Sequence, residues 1–324
     1  MSDTVTLSTG EELVCRVIDD PDDEAVPRLM GLLGHKGGLW QYHLDEWRAG
    51  NVKRLSTRFY VGAIGDELVA NIMVVSFRGI GLMGHVFTNP KHRRKGICDE
   101  LMRFHMNDWS ERGCIALFLN TGYGSAPFRI YERHGYRPIQ SRPGSMWWSP
   151  TVTELDEVWE RMYSNLDKAE TSGLHWQHWP SLNAFTQLPS EQTVRNVTYG
   201  LYGVAASEGT FLDIRHDASE KKSQVRTLET RDGHVCALAT LAPERRWGRT
   251  ASTWVFDLFA HPELDEITSD LADEFEWPNA HVVAYAADSD NQTIDTLASL
   301  GFRPHSHVER FFDGEIGLVI MDRT

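Results

Sequence analysis

Apolar and polar positions along the first half of the chain recur at two spacings, and the spacing changes from segment to segment. Residues 12–18 alternate loosely and predict a strand. Acidic residues Asp19, Asp20, Asp22, Asp23 and Glu24 precede an apolar-periodic stretch, 25–33, which predicts a helix with acid at its favourable end. Gly34, Gly37 and Gly38 break it, and 39–48 predicts a second helix carrying Trp40, Tyr42, His43 and Trp47. Three strands follow, at 58–64, 67–77 and 81–88, the first two joined by a Gly65-Asp66 hairpin signal. A helix over 95–112 places Ile97, Leu101, Phe104 and Trp109 on one side and ends at Gly113. Residues 114–119 are continuously apolar, as in a strand buried on both faces. A short helix, 126–134, stops at Gly135, and 136–148 supplies one or two closing strands.

The second half repeats this order. Trp254-Val-Phe-Asp-Leu-Phe-Ala-His-Pro262 parallels Leu82-Met-Gly-His-Val-Phe-Thr-Asn-Pro90. A helix pattern at 264–275, an apolar strand at 281–286 and a short helix come next. That helix ends Leu297-Ala-Ser-Leu-Gly301-Phe302-Arg303-Pro304, against Tyr131-Glu-Arg-His-Gly135-Tyr136-Arg137-Pro138. A hairpin turning at Asp232-Gly233 precedes them. The reading is therefore 1–150 as one domain, 151–194 as a helical, Trp-rich linker, and 195–324 as a second domain. The linker carries an amphipathic helix at 153–169 and His175-Trp-Gln-His178-Trp179-Pro180. The second element reads as an aromatic staple between the halves rather than a metal site, since no third ligand is near in sequence.

Length and charge narrow the class. The 324 residues suit two domains, each with a core of its own. The formal charge of −14 argues against nucleic acid, whose phosphates need a basic face. Four scattered cysteines without CxxC spacing indicate neither a disulfide framework nor zinc, and no metal is expected. No apolar run approaches the roughly 20 residues that cross a bilayer. The start, MSDTVTLSTGEELV, lacks the pattern of a signal peptide, so the expectation is a cytoplasmic protein with no membrane partner.

Against that acidic background, Lys91, Arg93, Arg94 and Lys95 form a local basic turn where the third helix starts. Backbone N–H groups and the positive end of a helix dipole converge there, an arrangement that suits a pyrophosphate. Arg93-x-x-Gly96-x-Cys98 after Pro90, and Tyr131-Glu132-Arg133-His134-Gly135-Tyr136 about 40 residues on, resemble two motifs of the GNAT superfamily of N-acetyltransferases. The first resembles its acetyl-CoA turn, the second the end of its short helix. The order of elements over roughly 10–149 is similar as well.

The resemblance implies an α/β (α+β) fold in which a mixed, mostly antiparallel sheet is flanked by helices, once in each half. It implies acetyl-CoA as acyl donor and a small-molecule primary amine as acceptor, reacting directly in a ternary complex in a monomer or homodimer. Arg93, Arg94, Lys95, Gly96, Ile97 and Cys98 would hold the phosphates, and the backbone of Val86, Phe87 and Thr88 would run beside pantetheine. Asn120 would line the channel. Cys98 stands where the family usually has Gly or Ala. Tyr131 would protonate the departing thiolate; its other reading is an aromatic packing the helix on the sheet. The strand 81–88 carries no carboxylate, so His85 is its one titratable group: a general base or a satisfied core histidine. The turn after Pro262 is acidic (Glu263, Asp265, Glu266, Asp270) and without glycine, and Leu297 replaces Tyr131. The second half is thus read as degenerate, leaving one acetyl-CoA site per chain. An acyl-CoA decarboxylase and a non-catalytic CoA sensor are the rival readings.

Overall fold

The structure, a computed structural model, describes residues 1–189, 192–246, 252–264, 271–312 and 314–323. Asp265, Glu266 and Asp270 of the acidic turn, and with them 265–270 of the helix pattern at 264–275, lie outside the described residues. The chain forms two compact units, Met1–Val158 with Trp179–Ala184, and Trp159–His178 with Phe185–Thr324. The fold class is as the resemblance implies: large, mostly antiparallel sheets flanked by helices.

Unit 1 is built on an eight-stranded sheet of order β1-β2-β3-β4-β5-β6-β8-β7. The strands are β1 Ser2–Thr6, β2 Glu12–Ile18, β3 Ser56–Ile64, β4 Glu67–Phe77, β5 Ile80–Thr88, β6 Ala116–Asn120, β7 Arg137–Pro138 and β8 Ser145–Trp148. Helices α1 Val26–Leu33 and α2 Gly38–Arg48 lie between β2 and β3 in sequence, α3 Ile97–Glu111 between β5 and β6, and α4 Ala126–Arg133 between β6 and β7. Strand β1 has no sequence counterpart among the expected elements, because its polar side chains stay exposed and only backbone pairing with β2 holds it. Every neighbouring pair is antiparallel except β5 and β6.

Strand β4 is buried from Leu68 to Ser76, since helices cover both faces of the sheet. The α3 stripe of Ile97, Leu101, Phe104, His105, Asp108 and Trp109 packs against one of them. Each fully buried large apolar side chain contributes about 1.5–3 kcal/mol. Gly81 sets how close α3 can come: a Cβ there would lie 2.8 Å from Trp109 and 2.5 Å from Leu117. Tyr60 Oη donates to the Asp108 carboxylate at 2.5 Å and supplies the partner that a buried charge on α3 requires.

Unit 2 carries β9 Glu170–Ser172, β12 Gln224–Glu229, β13 Val235–Pro243, β14 Trp254–Ala260, β15 Val282–Ala287, β16 Arg303–Phe312 and β17 Ile316–Arg323. They form one sheet of order β16-β17-β15-β14-β13-β12-β9. Read from the other end, this is the order β2-β3-β4-β5-β6-β8-β7 of unit 1, including the exchange of the last two strands. A separate pair, β10 Val194–Asn196 with β11 Leu201–Tyr202, accompanies it. Helices α5 Leu155–Tyr163, α6 His178–Phe185 and α7 Glu208–Ser219 precede β12, and α8 Asn291–Ser299 precedes β16. The expected linker helix at 153–169 is shorter than its periodicity suggested, giving way to a single 3-10 turn at Leu166–Lys168.

Candidate active site

The parallel pair β5 and β6 is in register only over Ile80–Leu82 and Ala116–Phe118. Beyond Leu82 and Phe118 the strands separate and a wedge opens between them. A β-bulge turns β5 at this point. Met73 faces Gly84 and Asn71 faces Phe87, so one residue of β4 opposes two of β5. His85 takes a left-handed conformation (φ 50°), and Asn71 Nδ2 holds its carbonyl at 3.1 Å. The bulge leaves Val86, Phe87 and Thr88 along an edge that β6 no longer covers.

A cavity of about 560 Å³ lies along that edge. Val86, Phe87 and Thr88 form one wall; Gly96, Ile97, Cys98 and Asp99 at the start of α3 form the second. Ala126, Pro127, Ile130 and Tyr131 of α4 close the third side, and His92, Arg93 and Arg94 stand at the rim.

The basic turn is fixed locally. Asn89 Oδ1 accepts from Lys91 N–H at 3.2 Å, opening a 3-10 turn at Pro90–His92, and Arg93 Nε donates to the Thr88 carbonyl at 3.1 Å. Gly96 then caps α3 at φ 85°. No atom lies within 4 Å of where its Cβ would be, so the left-handed backbone, not crowding within the protein, is what demands glycine. A left-handed residue followed by the first helical turn directs successive N–H groups into one concavity, a preformed anion cradle. Cys98 is a half-buried thiol whose pKa desolvation pushes up to about 11, so it serves as a small apolar wall and not as a thiolate.

Helix α4 starts at Ser125, whose Oγ accepts from Phe128 N–H at 3.2 Å, and ends in a left-handed Gly135. Tyr131 is buried, one turn before the end, and faces the cavity. Its ring also lies 6.1 Å from that of Tyr136, so packing and cavity lining coexist in one side chain. The first turn of α3 is tied to the last turn of α4: Asp99 Oδ1 accepts from His134 Nε2 at 2.9 Å and Arg133 at 3.1 Å. Burial raises the Asp99 carboxyl, but the hydrogen bonds from His134 and Arg133 outweigh it and hold its pKa below the ordinary value. This bridge spaces two walls of the cavity.

Three of the expected residues stand apart. Lys95 pairs with Glu11 at 2.7 Å, so its charge is already met. Asn120 Oδ1, at the end of β6, accepts the Ser145 hydroxyl at 3.0 Å. His85 is buried against Trp40, edge to face at 4.7 Å, with no hydrogen bond at either ring nitrogen. Burial, then the neighbouring His43, Lys36 and His35, hold its pKa well below that of a free imidazole. The ordinary imidazole pKa that recommended it as a base is therefore not the one it has here. Trp40 also meets Trp179 at 6.2 Å, while Trp47 packs on Phe59 at 4.8 Å, away from this group. In the linker motif, His178 Nε2 meets Glu229 at 2.6 Å and Nδ1 accepts from His175 N–H at 3.2 Å, leaving neither nitrogen for a metal.

Asp99, His92, Ala126 and Ile130 were not singled out from the sequence, whereas Pro127 was, as standing where the family resembled usually has Ala. Those on α4 were within reach: Pro127 and Tyr131, and Ala126 and Ile130, are four apart and share a helix face. Asp99 gave no such signal, since acid in a first helical turn is favourable without any ligand.

The acetyltransferase (GNAT) domain model matches residues 56–138, which span β3 to β7 and contain both walls of the wedge and α4. No curated protein matches the chain. Similar solved structures include a GNAT-family acetyltransferase from Streptococcus pneumoniae, 15% identical, covering 48% of this chain and 99% of that one at a TM-score of 0.39. A GCN5-related N-acetyltransferase from Kribbella flavida is 16% identical, covering 49% and 99% at a TM-score of 0.36. The ribosomal-protein-S18-alanine N-acetyltransferase from Escherichia coli is 11% identical, covering 44% and 97% at 0.34. Residues 56–138 of this chain are accordingly an acetyltransferase domain of the GNAT superfamily.

Proposed function

We propose that unit 1 transfers an acetyl or other short acyl group from acetyl-CoA to a primary amine of a small molecule, by direct attack in a ternary complex. The observation that carries this reading is the cavity itself. An uncovered strand edge, an anion cradle and a buried phenol line one space of about 560 Å³. The cradle at Gly96–Cys98, with Arg93 and Arg94 at its rim, takes the pyrophosphate through backbone N–H groups and charge-assisted hydrogen bonds. Pantetheine runs along Val86–Thr88 as an extra strand, pairing with the backbone that β6 leaves exposed. An N–H on that edge stabilises the oxyanion as the amine attacks the thioester carbonyl. Tyr131 gives its proton to the departing sulfur.

His85 is neutral at pH 7 and has two open nitrogens, but its burial makes an imidazolium costly. The amine is best supplied already neutral, without His85 as a store for its proton. We further propose that unit 2 is a degenerate second copy, as its strand order suggests, and that each chain binds one acetyl-CoA.

The test is release of free CoA thiol from acetyl-CoA over a panel of polyamines, amino sugars and amino acid amides, with acetylated product identified by mass. Conversion of malonyl-CoA to acetyl-CoA and carbon dioxide with no amine present and no thiol released would favour decarboxylation instead. CoA binding without turnover on any amine would favour a sensor.

A further inference from the structure

A second cavity, of about 550 Å³, lies in unit 2 between the end of α7 and the start of β12. Arg215, Lys221, Lys222 and Arg226 line it, with Ser223 and a single carboxylate, Glu276. Four cations round one space stand out in a chain of formal charge −14. Arg226 already meets Glu274, with Nε 3.0 Å from the carboxylate. Arg215, Lys221 and Lys222 have no carboxylate partner among the described residues. Arg215 lies over the Trp176 ring at 5.7 Å, and its Nε is buried without a hydrogen bond. Ser223, 8% exposed, stands beside the Tyr199 phenol.

Cations just past a helix C-terminus are favoured by the dipole, which accounts for Lys221 and Lys222 as residue types. It does not account for the Arg215 guanidinium beside them, which meets no carboxylate among the described residues and whose Nε lacks a hydrogen bond. One planar guanidinium, two ammonium groups and a hydroxyl suit a dianion with several oxygens better than a lone carboxylate, which one arginine can hold alone.

We propose that this cavity binds the phosphoryl group of a small metabolite. The residues belong to unit 2 and have no part in the acyl-transfer reading, so either proposal can fail alone.

The experiment is calorimetric titration of the full chain with inorganic pyrophosphate, with CoA at saturation so that the cradle at Gly96 is filled. A parallel titration, also with CoA at saturation, uses Arg93→Ala, in which that cradle is weakened. Saturable binding in both is the expected result. Affinity should fall at least tenfold in Arg215→Gln and in the exposed pair Lys221→Gln/Lys222→Gln, the latter covering the case in which Arg215→Gln does not fold. No saturable heat, equal heat from potassium chloride at matched ionic strength, or unchanged affinity in the lysine pair would overturn the site. Binding of citrate in place of pyrophosphate would overturn the phosphoryl assignment.

Discussion

The wedge of unit 1 and its counterpart in unit 2 begin alike and end differently. In unit 2, β14 and β15 are parallel and in register over Trp254–Phe256 and Val282–Ala284, three rungs as in unit 1. The short helices also end alike. Tyr136 N–H reaches back to the Tyr131 carbonyl and Phe302 N–H to the Leu297 carbonyl, both at 3.0 Å, with left-handed glycines at 135 and 301. The two units part company past the third rung. In unit 1, β5 bulges at His85 and leaves its edge to a cavity. In unit 2, Asp257 points its carboxylate at the chain's own backbone, accepting from Val197 N–H at 2.8 Å and Thr198 N–H at 3.1 Å. Asn196 adds a hydrogen bond to Thr240 at 2.8 Å. The segment after β10 is thus tied to β14 through that carboxylate. Two sheets of one topology differ past the third rung because one strand bulges beside a cavity and the other holds a carboxylate that binds the chain's own backbone.

The largest effect expected from breaking this contrast is at Tyr131. Tyr131→Phe should lower kcat by about a thousandfold, within the 10²–10⁴ range of general acid catalysis, with CoA affinity unchanged in calorimetry. Turnover equal to wild type would leave the phenol a packing residue.

Acid should separate the two units next. In unit 1, burial lowers His43 to about 3, and burial lowers His105 to about 4 despite its backbone hydrogen bonds. For both, the folded state binds fewer protons than the unfolded chain, whose imidazoles titrate near 6.5. Their stability is complete above about pH 6.5 and is lost as pH falls toward 4, at about 1.4 kcal/mol per pH unit for each. Asp257 has the opposite sign, because burial raises its pKa and protonation relieves that cost. Hydrogen exchange should therefore show protection falling more in β3–β6 than in β12–β15 between pH 7 and pH 5. Equal losses would show that the buried histidines do not set the acid limit.

Asp257→Ala would remove the acceptor of two part-buried N–H groups and should destabilise unit 2 by about 1–3 kcal/mol in urea unfolding, without creating a second CoA site. A stoichiometry of two CoA per chain, in that variant or in wild type, would break the comparison outright. The smallest change is expected from Arg93→Ala, which should weaken CoA about tenfold, the value of one exposed charge-assisted contact, and leave folding intact.

Much of this was legible in the chain. The 3.6-residue stripe of α3, the apolar run of β6 and the glycine stops at 113 and 135 placed the elements of unit 1 within a few residues. Arg93, Gly96 and Tyr131 could be named because anion turns and helix ends are local and repeat in one order. Strand β1 was missed because its polar side chains carry no periodicity, and α7 because its buried residues Phe211, Leu212 and Ile214 lie among polar neighbours.

By itself the sequence determined most of the strand and helix order of unit 1 and the basic turn that it holds. Those come from side-chain periodicity and from residues whose backbone needs are local. The tertiary structure decided the rest. It put His85 behind Trp40 with its pKa pushed down, gave Lys95 to Glu11, tied α3 to α4 through Asp99, and bound the Asp257 carboxylate to the backbone of Val197 and Thr198. Each of these depends on which groups lose water and which partners meet across tens of residues, and burial and pairing of that kind exist only once the sheets have formed.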